Sequence, residues 1–314
     1  MKKSLIALAV LAASGAAMAQ STVTIYGVAD VVIHNDKNTY DADTKAPTGS
    51  QTKMTSGGVS GSRLGFKGSE DLGGGLKAIF KLEQGVNLTS GASTGFNREA
   101  TVGLAGGFGE VRFGHMSTAY DEFAGATNPV FDSVLSPTNV WYSPYTDRVD
   151  QGIYYSTPSF GGFSGAVSYN LEQDAGSQNV LSLAANYEAG PLVLGVAFQD
   201  EGDAADETQT RLNAAYDFGA FKLMGGYGMV DAAGVDTKQY TIGADMPLAA
   251  NLVVSAGIAS SKTDGAKRVT GYSVGAAYLL SKRTTVYGGY YGDNGSEAQG
   301  TIERRIGLGI KHTF

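Results

Sequence analysis

The chain has 314 residues, no cysteine, 45 glycines, 17 tyrosines and a formal net charge of −7. That acidity lacks the basic footprint of a nucleic-acid binder, and without cysteine there is no disulfide framework, thiolate metal site or thiol nucleophile. Glycine at about twice the usual ~7% with no Gly-X-Y period excludes collagen. Together with the aromatics, it fits many strands joined by tight turns and bordered by aromatic girdles.

Residues 1–19 carry the pattern of a secretory signal peptide. Lys2 and Lys3 form the basic start, Leu5 to Ala13 the apolar core, and Ala17-Met18-Ala19 the small-residue cleavage site. The apolar run falls short of the ~20 residues a spanning helix needs, and no later segment supplies one. Cleavage before Gln20 would leave a single domain, 20–314. Losing Lys2 and Lys3 takes the basic residues from 23 to 21 against 30 acids, a net charge of −9.

Beyond the signal, period-2 alternation dominates. The first strand is expected over Thr22–Ile33. In Ser62–Ser69, Arg63, Gly65, Lys67 and Ser69 oppose Leu64, Phe66 and Gly68; in Leu76–Glu83, Lys77, Ile79, Lys81 and Glu83 oppose Leu76, Ala78, Phe80 and Leu82. Near the end, Tyr272, Val274, Ala276, Tyr278 and Leu280 share one face. The terminal run places Ile306, Leu308, Ile310, His312 and Phe314 opposite Arg305, Gly307, Gly309, Lys311 and Thr313. A strand that is greasy on one side and polar on the other, in an exported chain, points to an outer-membrane barrel.

Seven clusters of turn-forming residues separate the runs: Glu70–Gly75, Gly106–Gly109, Pro158–Gly162, Glu188–Pro191, Asp217–Ala220, Pro247–Ala250 and Ser281-Lys282. They alternate with longer polar stretches such as His34–Gly58, Glu201–Glu207, Ser261–Lys267 and Asp293–Gly300. Seven hairpins give fourteen strands, and the first strand with the last (Thr301–Phe314) makes sixteen. The expected fold is therefore all-β: a closed transmembrane antiparallel β-barrel of 16 strands with an aqueous lumen. From Ser117 to about Asp147 alternation is poor, with Pro129, Pro137, Pro144 and the single Trp141. So long an irregular segment fits a barrel if this third external loop folds into the lumen, where irregular backbone can line water.

Charges on the polar faces should point into that lumen, because Arg or Lys facing lipid at mid-depth costs ~2–4 kcal/mol. Arg63, Lys67, Lys77, Lys81, Glu83, Glu110 and Arg112 are such residues; Lys67, Lys77 and Arg112 fit the rims equally well. Asp121, Glu122 and Asp132 on the long loop could face the wall's cations across the narrowest section, setting a transverse field. Arg98 shares parity with Ala100, Val102 and Leu104, which suggests lipid unless that face packs on the loop or a bulge changes parity.

The stretches Val23-Thr24-Ile25-Tyr26-Gly27, Ser62-Arg63-Leu64-Gly65-Phe66-Lys67-Gly68-Ser69-Glu70-Asp71-Leu72-Gly73, Arg98-Glu99-Ala100-Thr101-Val102-Gly103-Leu104 and Phe108-Gly109-Glu110-Val111-Arg112-Phe113-Gly114, with the terminal Phe314, resemble a family. It is the trimeric general diffusion porins of Gram-negative outer membranes, of the type common in beta-proteobacteria and Neisseria. The resemblance implies a homotrimer of sixteen-stranded barrels with the third loop inside each. It implies Arg63, Arg98 and Arg148 as the basic cluster of the constriction and Phe314 as the signal read by the barrel-assembly machinery. Tyr120-Asp121-Glu122-Phe123-Ala124-Gly125 resembles the family's Pro-Glu-Phe-Gly-Gly element, with Asp121 in place of proline and Ala124 in place of a glycine. Glu122 then heads the acidic side, with Asp121, Asp132 and Glu83; Lys67, Lys81 and Arg112 are further lumen charges.

The function expected is passive diffusion of ions and small hydrophilic solutes across the outer membrane, where lipid and lipopolysaccharide surround the barrel. Three arginines at the constriction lean it towards anions. No cofactor or metal is implied: the acidic patches at Asp41–Asp43 and Asp200–Asp206 read as solvated loops, with weak divalent-cation binding as the other reading. An enzyme would need a nucleophile with a base in reach. His34 is expected at a loop start, His312 at the barrel's end and His115 as a pore-lining residue, none in a catalytic motif. A plugged adhesin-like barrel and a substrate-specific channel with an aromatic track are the competing functions.

Overall fold

The computed structural model describes residues 22–37, 49–124, 127–142, 144–171, 179–202, 206–294 and 304–314. The expected signal peptide, the patch at Asp41–Asp43 and the first residues of the expected last strand lie outside them. Among the described residues, seventeen strands form one antiparallel sheet. They are β1 (Thr22–Lys37), β2 (Gln51–Ser56), β3 (Arg63–Gly73), β4 (Leu76–Gly85), β5 (Glu99–Gly106), β6 (Gly109–Ser117), β7 (Arg148–Ser156), β8 (Phe163–Asn170), β9 (Leu181–Ala189), β10 (Leu192–Asp200), β11 (Glu207–Asp217), β12 (Lys222–Ala232), β13 (Val235–Ala249), β14 (Leu252–Thr263), β15 (Val269–Leu279), β16 (Thr284–Asp293) and β17 (Arg304–Thr313).

The sheet closes through β1, whose residues Val28–Lys37 pair with β17 along one edge. The other edge pairs with β3 through Thr22–Val28 and with β2 through Val31–Asp36. β2 and β3 are thus two pieces of one stave, and the barrel has the sixteen staves expected. Closure matters because an open edge would leave backbone groups unpaired in hydrocarbon. No described helix is long and apolar enough to cross a membrane.

The stave break between β2 and β3 is organised by Asp30, which is fully buried. Its carboxylate accepts from the backbone N–H groups of Gly58 (3.2 Å), Val59 (2.9 Å) and Ser60 (2.7 Å) and from the Tyr287 hydroxyl (2.5 Å). Gly57, at φ +84°, supplies the left-handed turn that starts the break. A buried anion thereby satisfies donors that the interrupted ladder would otherwise leave unpaired.

All seven expected tight turns join the expected neighbours on one rim. The β13–β14 turn falls later than Pro247–Ala250: β13 continues through Pro247 to Ala249, with a register shift between them. That is where a strand tolerates a residue without an N–H. The opposite rim has one short connection that the sequence reading lacked. Ala233 and Gly234, at φ +52° and +77°, join β12 to β13 as a two-residue hairpin turn.

Burial is inverted relative to a water-soluble protein. Leu308, Ile306 and Ile242 are more than half exposed, whereas Ser182, Ser255 and Gln199 on inward positions are fully buried. An apolar outer band facing lipid produces this pattern.

The β6–β7 connection is closed at its neck by Thr118 N–H donating to the Asp147 carbonyl at 3.0 Å. It holds a one-and-a-half-turn helix α1 (Ala119–Ala124), a left-handed turn at Val130–Asp132 and a 3₁₀ turn at Pro137–Val140. Its backbone N–H groups donate to inward wall residues: Ala119 to Ser168 Oγ (2.9 Å), Tyr120 to Ser182 Oγ (2.6 Å), Val130 to Ser255 Oγ (2.9 Å) and Val134 to the Gly58 carbonyl (2.8 Å). The wall makes room with small side chains. Met116 and Tyr120 pack on Ala166, Ala184 and Ala197 of β8–β10. Further round, a Cβ at Gly243 or Gly257 would stand 2.4 Å or 2.6 Å from Pro129, and one at Gly275 2.8 Å from Val130. Buried Val130, Leu135 and Val140 form a second apolar seat with Ala259, Val269 and Tyr291. Each fully buried side chain of this kind contributes about 1.5–3 kcal/mol.

Candidate functional site: a charged slit beside the long loop

Because the loop sits along the wall from β8 round to β17, open space remains against β1 and β3–β7. A cavity of 630 Å³ there is lined by Arg63, Arg98, Arg148, Lys67, Lys81, Tyr26, Glu83, Glu99, Asp121, Glu122 and Phe314. A second, of 480 Å³, continues from it, sharing Lys67, Lys81, Glu99 and Glu122 and adding Arg112, Glu110 and Thr22. The three expected arginines are therefore brought to one place, with Lys67 and Lys81 beside them as cross-strand partners.

Arg98 reaches the slit by neither route that its parity suggested. It stands in the bend before β5, so strand alternation does not yet apply to it. Its Nε donates to Glu83 Oε1 at 2.7 Å. Arg63 lies 3.9 Å from the same oxygen, and the Tyr26 hydroxyl donates to Oε2 at 2.8 Å. Glu83 thus belongs to the basic wall and bridges its arginines, which corrects its expected place on the facing acidic side. Its position on β4 puts it diagonally beside Arg63. Arg148 Nε donates to the Arg98 carbonyl at 3.0 Å, and its Nη1 pairs with Asp147.

On the loop side, Glu122 accepts from Arg112 Nη2 at 2.8 Å and from the Tyr154 hydroxyl at 2.6 Å. Arg112 also pairs with Glu99 (3.1 Å) and Glu110 (3.0 Å), and its guanidinium lies 4.0 Å over the Tyr154 ring. This network pins α1 to β5–β7. Lys81 pairs with Glu99 at 2.6 Å, and Lys67 sits 5.2 Å over Tyr26. Asp121 accepts from the Tyr145 hydroxyl at 3.1 Å. Burial pushes its carboxyl above the usual range, partly offset by a hydrogen bond with Ser117 and the charge of Arg148. Asp132 is not at the slit: it accepts from Asn128 Nδ2 at 2.7 Å in the loop's left-handed turn, far along the wall. Lys77 sits just past the β3–β4 turn, at the rim.

The histidines are structural. His34 lies inside β1, buried, with Nδ1 2.9 Å from Asp36 and Nε2 2.8 Å from Thr55 Oγ1, so it stands within a strand and not at a loop start as expected. His115 lines neither cavity, contrary to expectation; it contacts Asp150 (2.6 Å) and the Asn97 carbonyl (2.7 Å). His312 bonds Thr284 at the barrel's end. No group of three or more ligating side chains among the described residues could hold a metal ion.

The profile of the family described as Gram-negative porin matches residues 5–298. The chain belongs to the Gram-negative porin family. Outer membrane porin protein 32 of Delftia acidovorans is 34% identical over the whole of both chains, and an outer membrane porin protein of Bordetella pertussis is 30% identical, again end to end. A major outer membrane protein P.IB of Neisseria meningitidis serogroup B is 31% identical over the same extent. Among solved structures, the anion-selective porin from Comamonas acidovorans superposes with a TM-score of 0.79 at 27% identity, covering 94% of this chain and 100% of that one. The resemblance read from the sequence is borne out, as are the sixteen-stave barrel, the outer-membrane location and passage by passive diffusion. The family to which this porin belongs is one of channels.

Proposed function

We propose that this porin passes ions and small hydrophilic solutes through the slit between the Arg63, Arg98 and Arg148 wall and the loop acids Glu122 and Asp121, with a modest preference for anions. The observation that carries the preference is the sharing of one carboxylate, Glu83, by two of three clustered guanidiniums. Five cationic side chains line the larger cavity against four acidic ones, and burial favours the neutral form of one of these, Asp121. The likeness to a porin described as anion-selective supports the same sign. The long loop narrows the pore by occupying the wall opposite the slit, and no step needs a catalytic group, cofactor or metal.

The functional unit in this reading is a homotrimer, embedded in lipid and lipopolysaccharide. Residues 1–19 are removed on export, and Phe314 is read by the barrel-assembly machinery. Its backbone N–H and carbonyl pair with Gly27, placing this residue at the barrel's closing seam. The selectivity claim is tested by Arg63→Ala in planar bilayers under a salt gradient. The reversal potential should move towards cations; an unmoved potential removes Arg63 from the selectivity mechanism.

A further inference from the structure

Arg211 lies on β11, on the wall away from the slit, and is buried at an inward position. None of the ion pairs found among the described residues includes it. A guanidinium taken out of water with no carboxylate of the described residues in pairing range is costly, whereas Arg305, which also holds the loop by donating to the Val134 carbonyl, is paired with Asp36. The contacts of Arg211 give the reason for its charge. Nη2 donates to Asn128 Oδ1 at 2.6 Å, on the limb of the loop leaving α1. The guanidinium plane lies 4.0 Å from the ring of Trp141, on the returning limb. Tyr120, Tyr145 and Asp132 are its electrostatic neighbours, again from both limbs. Nε donates to Asn213 Oδ1 at 3.3 Å, and Asn213 Nδ2 donates to the Phe123 carbonyl at 3.2 Å. Phe123 is the residue after Glu122.

We infer that Arg211 is a positioning residue for the slit: it clamps both limbs of the loop and, through Asn213, fixes the end of α1 that carries Glu122. The chemistry suits the task. A planar fork of five donors can hold a carbonyl oxygen at its edge while its flat face stacks on an indole, whereas an ammonium has no planar face to stack. This inference rests on the reading of the slit as the conducting constriction.

The test is single-channel recording of the full-length mature protein as wild type, Arg211→Met and Arg211→Lys, with barrel integrity checked by heat-dependent mobility and circular dichroism. Arg211→Met fills the same volume without the fork. It should give a several-fold rise in open-channel current noise and a larger conductance, with the reversal potential displaced towards anions as Glu122 leaves its place. Arg211→Lys, retaining a donor but not the stack, should fall between. A Met variant with lowered thermal stability but wild-type noise, conductance and reversal potential overturns the inference, because a merely structural role would show only the first. Should Arg211→Met not fold, the loop-side pair Asn128→Ala and Trp141→Leu removes the same contacts and must reproduce the noise; quiet channels there overturn it equally. Absence of conductance in the wild type itself would instead refute the diffusion reading beneath it.

Discussion

Replacing Glu83 by Gln isolates the electrostatics of the slit, because the amide keeps the carboxylate's shape and one acceptor oxygen. Glu83 is buried and accepts from Arg98 Nε at 2.7 Å and the Tyr26 hydroxyl at 2.8 Å. Loss of a charge-assisted bond should cost about 1.5–3 kcal/mol of stability, leaving a barrel of this size folded. The effect on conduction follows from one charge. An ion in water about 8 Å from Glu83 feels about 0.5 kcal/mol before screening. One Debye length at physiological salt reduces that to about 0.2 kcal/mol. Anions gain and cations lose that amount when the charge is removed, a difference of about 0.4 kcal/mol, or about twofold in the permeability ratio. Reversal potentials of wild type and Glu83→Gln under the same potassium chloride gradient measure it. A ratio moved about twofold towards anions supports the assignment of Glu83 to the arginine wall. No change, or a shift towards cations, would show that Glu83 does not act on permeating ions as its position requires.

Three further outcomes are expected. Gly257→Val places a branched side chain where even a Cβ would be 2.6 Å from Pro129 and 3.1 Å from the Ile242 carbonyl. The loop should be pushed off its seat at a cost of about 1–3 kcal/mol, read as a lower unfolding temperature in detergent together with altered conductance. Asp30→Asn turns an acceptor of four donors into a group with donors of its own, which should destabilise the barrel by about 2–3 kcal/mol; chemical denaturation of the detergent-solubilised protein checks this. Asp121, raised by burial, takes up its proton at a higher pH than exposed carboxylates. Anion preference should therefore rise as pH falls from neutral through the range in which Asp121 takes up its proton. In Asp121→Asn the rise in that range should vanish from the reversal potential's pH profile.

Much of the barrel was legible because lipid imposes period 2 on every stave, and because Gly, Pro, Asp and Ser mark the seven tight turns. The stave count followed from those turns together with the first and last strands. What escaped were places where local chemistry interrupts the period. Gln51–Ser56 is short and mostly polar, so it reads as loop; only the buried Asp30 and Gly57 reveal that it completes the stave that β3 continues. Arg98 misled because parity was extended one residue beyond the strand.

Within the site, which charges share the lumen could be read from alternation, and the resemblance singled out the three arginines. Who pairs with whom could not, since Glu83 bridging Arg63 and Arg98, or Arg112 holding Glu122, depends on diagonal neighbours across strands and on the loop's path. The loop's seat had a signal that went unread. Gly243, Gly257, Gly271 and Gly275 all fall on inward positions of adjacent strands, leaving a groove that only another segment of backbone would fill. Arg211 had no such signal, because an inward arginine reads the same whether it faces water or clamps a loop.

The most direct test of the slit is the zero-current potential of the refolded wild-type protein in a planar bilayer under a tenfold potassium chloride gradient. Stable conductance steps in groups of three, with a potential whose sign marks chloride as the more permeant ion, are the expected result. A channel that prefers potassium would contradict the arginine wall as the controlling charge, and correctly folded barrels that carry no current would contradict the open slit itself.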